Sequence, residues 1–226
     1  MKKNYLIILF LVLIARQAFA APAYGTKMPE KGNFFIGGQT HIVQQRELEK
    51  DNGKMSSSQN FFLISYGVLD WLSLDLKGGA GNVQLHKTDS EDFNYHSFLA
   101  GGYGFRIKYL DQEKLKAVFG FQHISDHPYT IDRDGKKYKA VLDDWQLSTL
   151  ISYDLHCINP YAGVKLSTMN YINWIDTERN LVKSDSGKSV GLVAGMDIPF
   201  NKKIWLNVEG QFVDVKAIAA SINFSF

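Results

Sequence analysis

The sequence holds a single cysteine, Cys157, so it forms no internal disulfide and no multi-cysteine metal site. A formal net charge of +2 over 226 residues leaves no excess of basic groups for a general nucleic-acid surface. Only 5 prolines are present, and no proline-rich linker or low-complexity stretch divides the chain. Beyond residue 20 no run of eighteen apolar residues occurs, which excludes a membrane-crossing helix there. There is no internal repeat. What remains, 45% hydrophobic and 21% charged, is the composition of one folded domain rather than a disordered chain.

The first segment reads as an address. Lys2 and Lys3 precede an apolar run from Tyr5 to Ile14, and Ala18-Phe19-Ala20 supplies a small-residue cleavage signal. The apolar run is too short to span a bilayer as a helix, so residues 1–20 read as a cleaved signal peptide rather than an anchor. Without Lys2, Lys3 and Arg16 the net charge falls from +2 to −1. Residues 21–32 read as a short lead-in and 33–226 as the folded domain.

That domain alternates apolar and polar residues with a period of two, the mark of strands with one apolar face. Leu72, Leu74 and Leu76 oppose Ser73, Asp75 and Lys77; Leu192, Ala194, Met196 and Ile198 oppose Gly191, Gly195 and Asp197. Ten such segments lie near 33–44, 58–68, 71–85, 95–109, 114–125, 142–155, 158–171, 188–199, 203–213 and 216–226. Long polar connections near 45–57, 86–94, 126–141 and 172–187 alternate with short ones near 69–70, 110–113, 156–157 and 200–202. Short turns on one side and long loops on the other are the signature of a transmembrane barrel. Aromatic residues gather at segment ends: Phe34, Trp71, Tyr109, Tyr161, Trp205 and Phe226 at one rim, and Tyr95, Phe121, Trp145, Tyr171 and Trp174 at the other. The polar face carries Asp75, Lys77, Arg106, Lys108, Lys116, Lys165, Asp197 and Glu209, a set that pairs inside a narrow lumen. A soluble lipocalin-like barrel is the alternative, with the same residues facing water.

The final alternation, Ala217 to Phe226, resembles the last strand of Gram-negative outer-membrane β-barrels, and Tyr66 to Leu74 resembles the turn and interfacial tryptophan of their small members. The resemblance implies an all-β, closed antiparallel transmembrane barrel of about ten strands, or eight as the alternative. It implies a bacterial outer-membrane location with periplasmic termini, and contact with outer-membrane lipids and lipopolysaccharide. It also implies recognition of Phe224 and Phe226 by the barrel-assembly machinery. It leaves activity open, because such barrels include adhesins, pores, proteases and lipid-modifying enzymes.

The most pointed chemistry is Gln122-His123-Ile124-Ser125-Asp126-His127. A serine nucleophile needs a base in hydrogen-bond reach and an acid to orient it. His123 and Ser125 share the outward face, and Asp143 or Asp144 stands on the next strand; Asp144 is the acid taken with them. The stretch resembles the His-x-Ser-Asn motif of outer-membrane lipid A deacylases, with Ser125 as nucleophile and His123 as base. Asp126 stands where that motif has Asn. The pairs Asp126-His127 and Asp143-Asp144 resemble, more loosely, the acidic and Asp/His pairs of omptin proteases. Asp132-Arg133-Asp134-Gly135 opens like a Ca²⁺ loop but lacks the later ligands. Gly78 to Gly81 lies in a strand and is followed by no Lys-Ser/Thr, so it is not a phosphate loop. No cofactor motif or metal-ligand spacing is present. The expected function is a non-catalytic barrel, structural or surface-binding, its lumen largely plugged by charged side chains. The alternatives are a lipid A-modifying esterase and a narrow channel.

Overall fold

Period-two alternation sends successive side chains to opposite sheet faces, and thirteen strands form on it. The computed structural model describes residues 25–87 and 91–226; the signal peptide expected at 1–20 lies outside the described residues. In chain order the strands are β1 (Phe34–Glu47), β2 (Lys54–Leu69), β3 (Leu72–His86), β4 (Phe93–Tyr95), β5 (Leu99–Asp111), β6 (Leu115–His127), β7 (Ile131–Arg133), β8 (Lys136–Tyr153), β9 (Asn159–Ile175), β10 (Glu178–Lys183), β11 (Val190–Pro199), β12 (Ile204–Phe212) and β13 (Lys216–Ser225). No helix of the described residues is long and apolar enough to cross a membrane.

Ten of these strands make a closed antiparallel ring. β1, β2, β3, β5, β6, β8, β9, β11, β12 and β13 each pair with their neighbours in that order. β13 then pairs with β1, from Phe35↔Ser225 to Gln45↔Lys216, and shuts the barrel. Ten strands, not eight, is therefore the count. β4, β7 and β10 are short pieces added at one end, on β3, β8 and β9 respectively. We call that the far end; the near end holds Phe34 and Phe226.

The far-end connections are shorter than the polar composition predicts. The stretch 45–57, expected as a loop, is mostly strand, because β1 runs to Glu47 and β2 starts at Lys54. Here Met55, Ser57 and Gln59 point inward while Ser56, Ser58 and Asn60 point outward. A strand polar on both faces hides from an apolar alternation test. Likewise β8 begins at Lys136 rather than 142, and β9 runs on to Ile175.

Side chains fill the interior near both ends. At the far end Leu48, Met55, Val83, Leu85, Tyr95, Leu142, Met169, Tyr171 and Val182 form an apolar plug. Inside it the Tyr171 hydroxyl donates to that of Tyr95 at 3.2 Å. At the near end the described part of the lead-in docks across the mouth instead of hanging free. Thr26 Oγ1 donates to Ser152 Oγ at 2.7 Å, and the Gly32 N–H donates to the Gly67 carbonyl at 2.8 Å. Lys27 Nζ sits 3.8 Å from the centre of the Trp205 ring. Gly25 has φ +70°, and a Cβ there would lie 3.0 Å from Asn207 Nδ2, so the approach requires glycine.

These two closures correct four of the expected rim aromatics. Tyr95 and Tyr171 belong to the far plug, and Tyr161 and Trp205 face the near lumen; all four are buried. Their positions along the strands suit a girdle, but their phase points them inward. Phe34, Trp71, Tyr109 and Phe226 are exposed at the near rim as expected.

Candidate functional site

Six of the eight charges expected in the lumen are there, each at most 6% exposed. Arg106 grips Asp75 with two N–H groups, Nε to Oδ2 and Nη2 to Oδ1, both at 2.8 Å. Ser65 Oγ donates to the same carboxylate, and Arg106 Nη1 donates to the Lys27 carbonyl of the lead-in. Lys77 Nζ donates to Gln39 Oε1 at 3.0 Å. Lys165 Nζ donates to Gln211 Oε1 at 2.6 Å and lies 3.2 Å from Asp214. Glu209 accepts from the Tyr161 hydroxyl and from Gln211 Nε2, and Asp197 accepts from Asn207 Nδ2.

Lys108 and Lys116 are corrections. Their strand phase fits the lumen, but both stand at the near rim, where each pairs with Asp111. Lys116 is 46% exposed there. A bulge between Lys108 and Leu110 shifts the register there, and pairing resumes at Leu110↔Ala117 and Asp111↔Lys116.

The tightest interior knot escapes a sequence reading. Arg46 Nη1 donates to Asp214 Oδ2 and to Ser167 Oγ, both at 2.7 Å, and Nη2 reaches Ser184 Oγ at 3.1 Å. Strict alternation from Val43 would aim Arg46 outward. A bulge places Gln44 and Gln45 opposite Ser56 alone and returns Arg46 to the lumen. Asp214 sits in the tight β12–β13 turn beside Val213, whose φ is +80°. No periodicity marks either residue.

The outward face is the inverse of a soluble surface. Phe62, Ile64, Tyr66, Leu74, Leu76, Val164, Leu166, Leu192, Ile218 and Ile222 are all exposed, in a band around the ring, while carboxylates and ammonium groups lie inside. A band of this size has no reason to face water. A closed ring leaves no backbone group unpaired at an edge, as hydrocarbon demands. The chain is a transmembrane β-barrel. A soluble lipocalin-like barrel would hold its apolar residues inside, so that alternative falls.

Near the far end the outward face of β6 and β8 turns polar. His123 Nε2 lies 2.5 Å from Asp143 Oδ1, and Trp145 Nε1 donates to Asp143 Oδ2 at 2.8 Å. The His123 ring lies 4.0 Å from that of Trp145 and 5.1 Å from that of Tyr103, centroid to centroid and tilted to both. Ser125 Oγ pairs with His127 Nε2 at 2.9 Å. Asp144, the expected acid, is a correction: alternation along β8 turns it into the lumen, beside Gln146. Asp143, directly across from Ser125 in the pairing, takes its place. The structure thus assembles a serine–histidine pair and a histidine–aspartate pair, on different histidines.

The omptin-like pairs do not assemble. Asp126 is fully buried near Ser57 and Gln59 while His127 is exposed on the other face, and Asp143 and Asp144 part in the same way. Asp134 and Gly135, with φ +51° and +73°, make the two-residue turn between β7 and β8. Among the described residues no group of three or more His, Cys, Asp or Glu is placed to hold a metal ion.

No protein-family model matches the sequence, and no curated protein matches it. Solved barrels do. The transport unit of the autotransporter AIDA-I from Escherichia coli is 11% identical, with 92% of this chain and 94% of that chain covered and a TM-score of 0.47. Ail, the attachment invasion locus protein of Yersinia pestis, is 7% identical, with 88% and 100% covered and a TM-score of 0.44. The translocator domain of the autotransporter NalP from Neisseria meningitidis is 12% identical, with 89% and 90% covered and a TM-score of 0.45.

Proposed function

We propose that this protein is a sealed, non-catalytic barrel of the bacterial outer membrane that works through its outer face and rim. The observation that carries the reading is the double closure of the lumen, by the apolar plug around Met55 and Tyr171 and by the lead-in at Lys27. Between them the charges are spent on one another, as in the Arg106–Asp75 and Arg46–Asp214 pairs. A narrow channel needs a continuous water path, which these closures oppose. In this reading residues 1–20 are removed on export and both ends of the barrel domain lie in the periplasm. Phe224 and Phe226, on the strand that closes the ring, serve as the assembly signal, and lipopolysaccharide meets the far end. No nucleic acid and no cofactor enter. The refolded barrel in a planar bilayer is expected to give no steps above background at 100 mV; regular single-channel steps would overturn the reading.

A second reading is favoured by one contact, Ser125 Oγ to His127 Nε2 at 2.9 Å on the membrane-facing wall. In an esterase acting on lipid A, Ser125 is the nucleophile. The contact makes His127 its base, with His123 and Asp143 alongside. Mass spectrometry of lipid A from cells expressing wild type or Ser125→Ala decides it. Loss of an acyl chain with wild type alone supports the enzyme, and identical spectra remove it.

A further inference from the structure

We propose that the outward wall of β2, β3, β4 and the segment after it holds a site for the uncharged sugar headgroup of a membrane glycolipid. The inference rests on the outer-membrane reading above and names what that outer face binds. The site is a groove of about 470 Å³ whose working lining is Ser58, Asn60, Asn82, Gln84, Asn94 and His96.

Three features give it a ligand class. First, its height is fixed by pairing. Asn60 lies opposite Thr40 on β1 and Ala80 on β3, one outward position beyond Phe62, which is 54% exposed to the membrane. Two residues of strand rise about 7 Å. On β2 and β3 the groove therefore begins where the outward apolar residues give way to amides, while Ile42 on β1, opposite Ser58, keeps an apolar edge beside it, as at the boundary between lipid chains and headgroups.

Second, its amides are oriented. Asn82 Oδ1 accepts from the Ser58 backbone N–H at 2.7 Å, which a reversed amide cannot do. Asn60 Oδ1 accepts from Thr40 Oγ1 at 2.8 Å, and Gln84 Oε1 accepts from Ser56 Oγ at 3.2 Å. With the three carbonyl oxygens engaged by the strands, the NH₂ groups are left as donors, with no side-chain or backbone acceptor among the described residues. A row of oriented donors calls for a ligand rich in acceptors.

Third, among the described residues no lysine, arginine, aspartate or glutamate lines the groove. A phosphate headgroup is read by cations, and Lys or Arg supplies them. Neutral amide donors instead fit hydroxyl and ring oxygens and amide carbonyls, which a sugar headgroup offers in quantity. Lys54, His86 and Asp92 stand above the groove near the β3–β4 connection.

The test uses the full mature barrel in phosphatidylethanolamine nanodiscs and, as the probe, purified short-chain lipopolysaccharide, with binding read by native mass spectrometry. The decisive variant is Asn82→Asp, which keeps the bond from the Ser58 N–H and exchanges the groove donor for an acceptor; Asn60→Asp is the second. Each is expected to weaken binding about tenfold, on the scale of one or two lost hydrogen bonds. Ser125→Ala, outside the groove, is expected to bind as wild type. Enzymatically dephosphorylated lipopolysaccharide is expected to bind as the parent does. Competition by the free core oligosaccharide would assign recognition to the sugar alone, and its absence to the sugar held at a membrane; either supports the ligand class. Unchanged binding in both folded aspartate variants, or loss of binding on dephosphorylation, overturns the proposal. Neither result bears on conductance, so failure here leaves the sealed-barrel reading to its own experiment.

Discussion

Arg46 and Asp214 stand 168 positions apart in the chain and 2.7 Å apart inside the barrel. The contact joins β1, the β12–β13 turn and, through Ser167, β9. It holds the wall where β11, β12 and β13 stop short and β10 covers the gap.

Breaking that pair strands a buried charge, which costs about 3–5 kcal/mol when one partner is removed. Arg46→Ala and Asp214→Ala are each expected to lower the unfolding free energy, read from urea titration of the heat-modifiable band, by that amount. Gly191→Ala attacks the same pair from the other side, because its Cβ would lie 1.9 Å from Asp214 Oδ1. Its expected cost is about 1–3 kcal/mol. Lys116→Ala, at the solvated rim, is expected to change stability by less than about 1 kcal/mol. Equal effects from the Arg46 and Lys116 variants would contradict this ranking.

The two closures act in series. Deleting residues 25–32 opens the near mouth alone, and Met55→Ala with Tyr171→Ala thins the far plug alone. Either change is expected to leave the bilayer silent, and the combination to produce small conducting steps. Conduction after the lead-in deletion alone would show that the far plug does not seal.

Burial holds the Lys27 ammonium below its ordinary pKa, with Asp197 opposing the shift and Lys116 adding to it. A lysine whose pKa is depressed on folding costs stability wherever it stays charged, and the cost fades as pH rises through the depressed value. The stability difference between Lys27→Met and wild type is therefore expected to favour the variant at neutral pH and to shrink toward pH 10. Paired denaturation curves at pH 7 and pH 9.5 read it. A gap that widens with pH would contradict the sign.

Cys157 is exposed in the near-end turn between β8 and β9, and it is the sole thiol of the chain. With the near end in the periplasm, a membrane-impermeant maleimide is expected to label cells only after the outer membrane is permeabilised. Labelling of intact cells would invert the barrel.

Much of the architecture was legible because one chemical fact repeats. A strand between lipid and lumen must alternate, so Leu72 to Lys77 and Val190 to Ile198 reveal phase, face and strand count together. The far end was not legible for the same reason. Ser56 to Asn60 is polar on both faces, and a bulge at Gln44–Gln45 shifts the phase that would have found Arg46. The outward pair at β6 was half legible: spacing put His123 and Ser125 on one face. Alternation along β8 alone separates Asp143 from Asp144; that Asp143 meets His123 required the register between β6 and β8, and that Ser125 meets His127 rather than His123 required the side-chain geometry within β6. The amide groove on β2 and β3 had no sequence signal, since asparagine and serine in a polar run look like a loop.

Closure by β13 sets a condition on biogenesis. β1 takes β2 as one neighbour within the first thirty-odd residues of the barrel, but its other neighbour is residues 216–225. Every species lacking that segment carries two bare hydrogen-bonding edges, on β1 and β12, each a template for pairing with another chain. The strand that emerges earliest therefore waits longest for its second partner, and the export route must shield it for the whole of that interval.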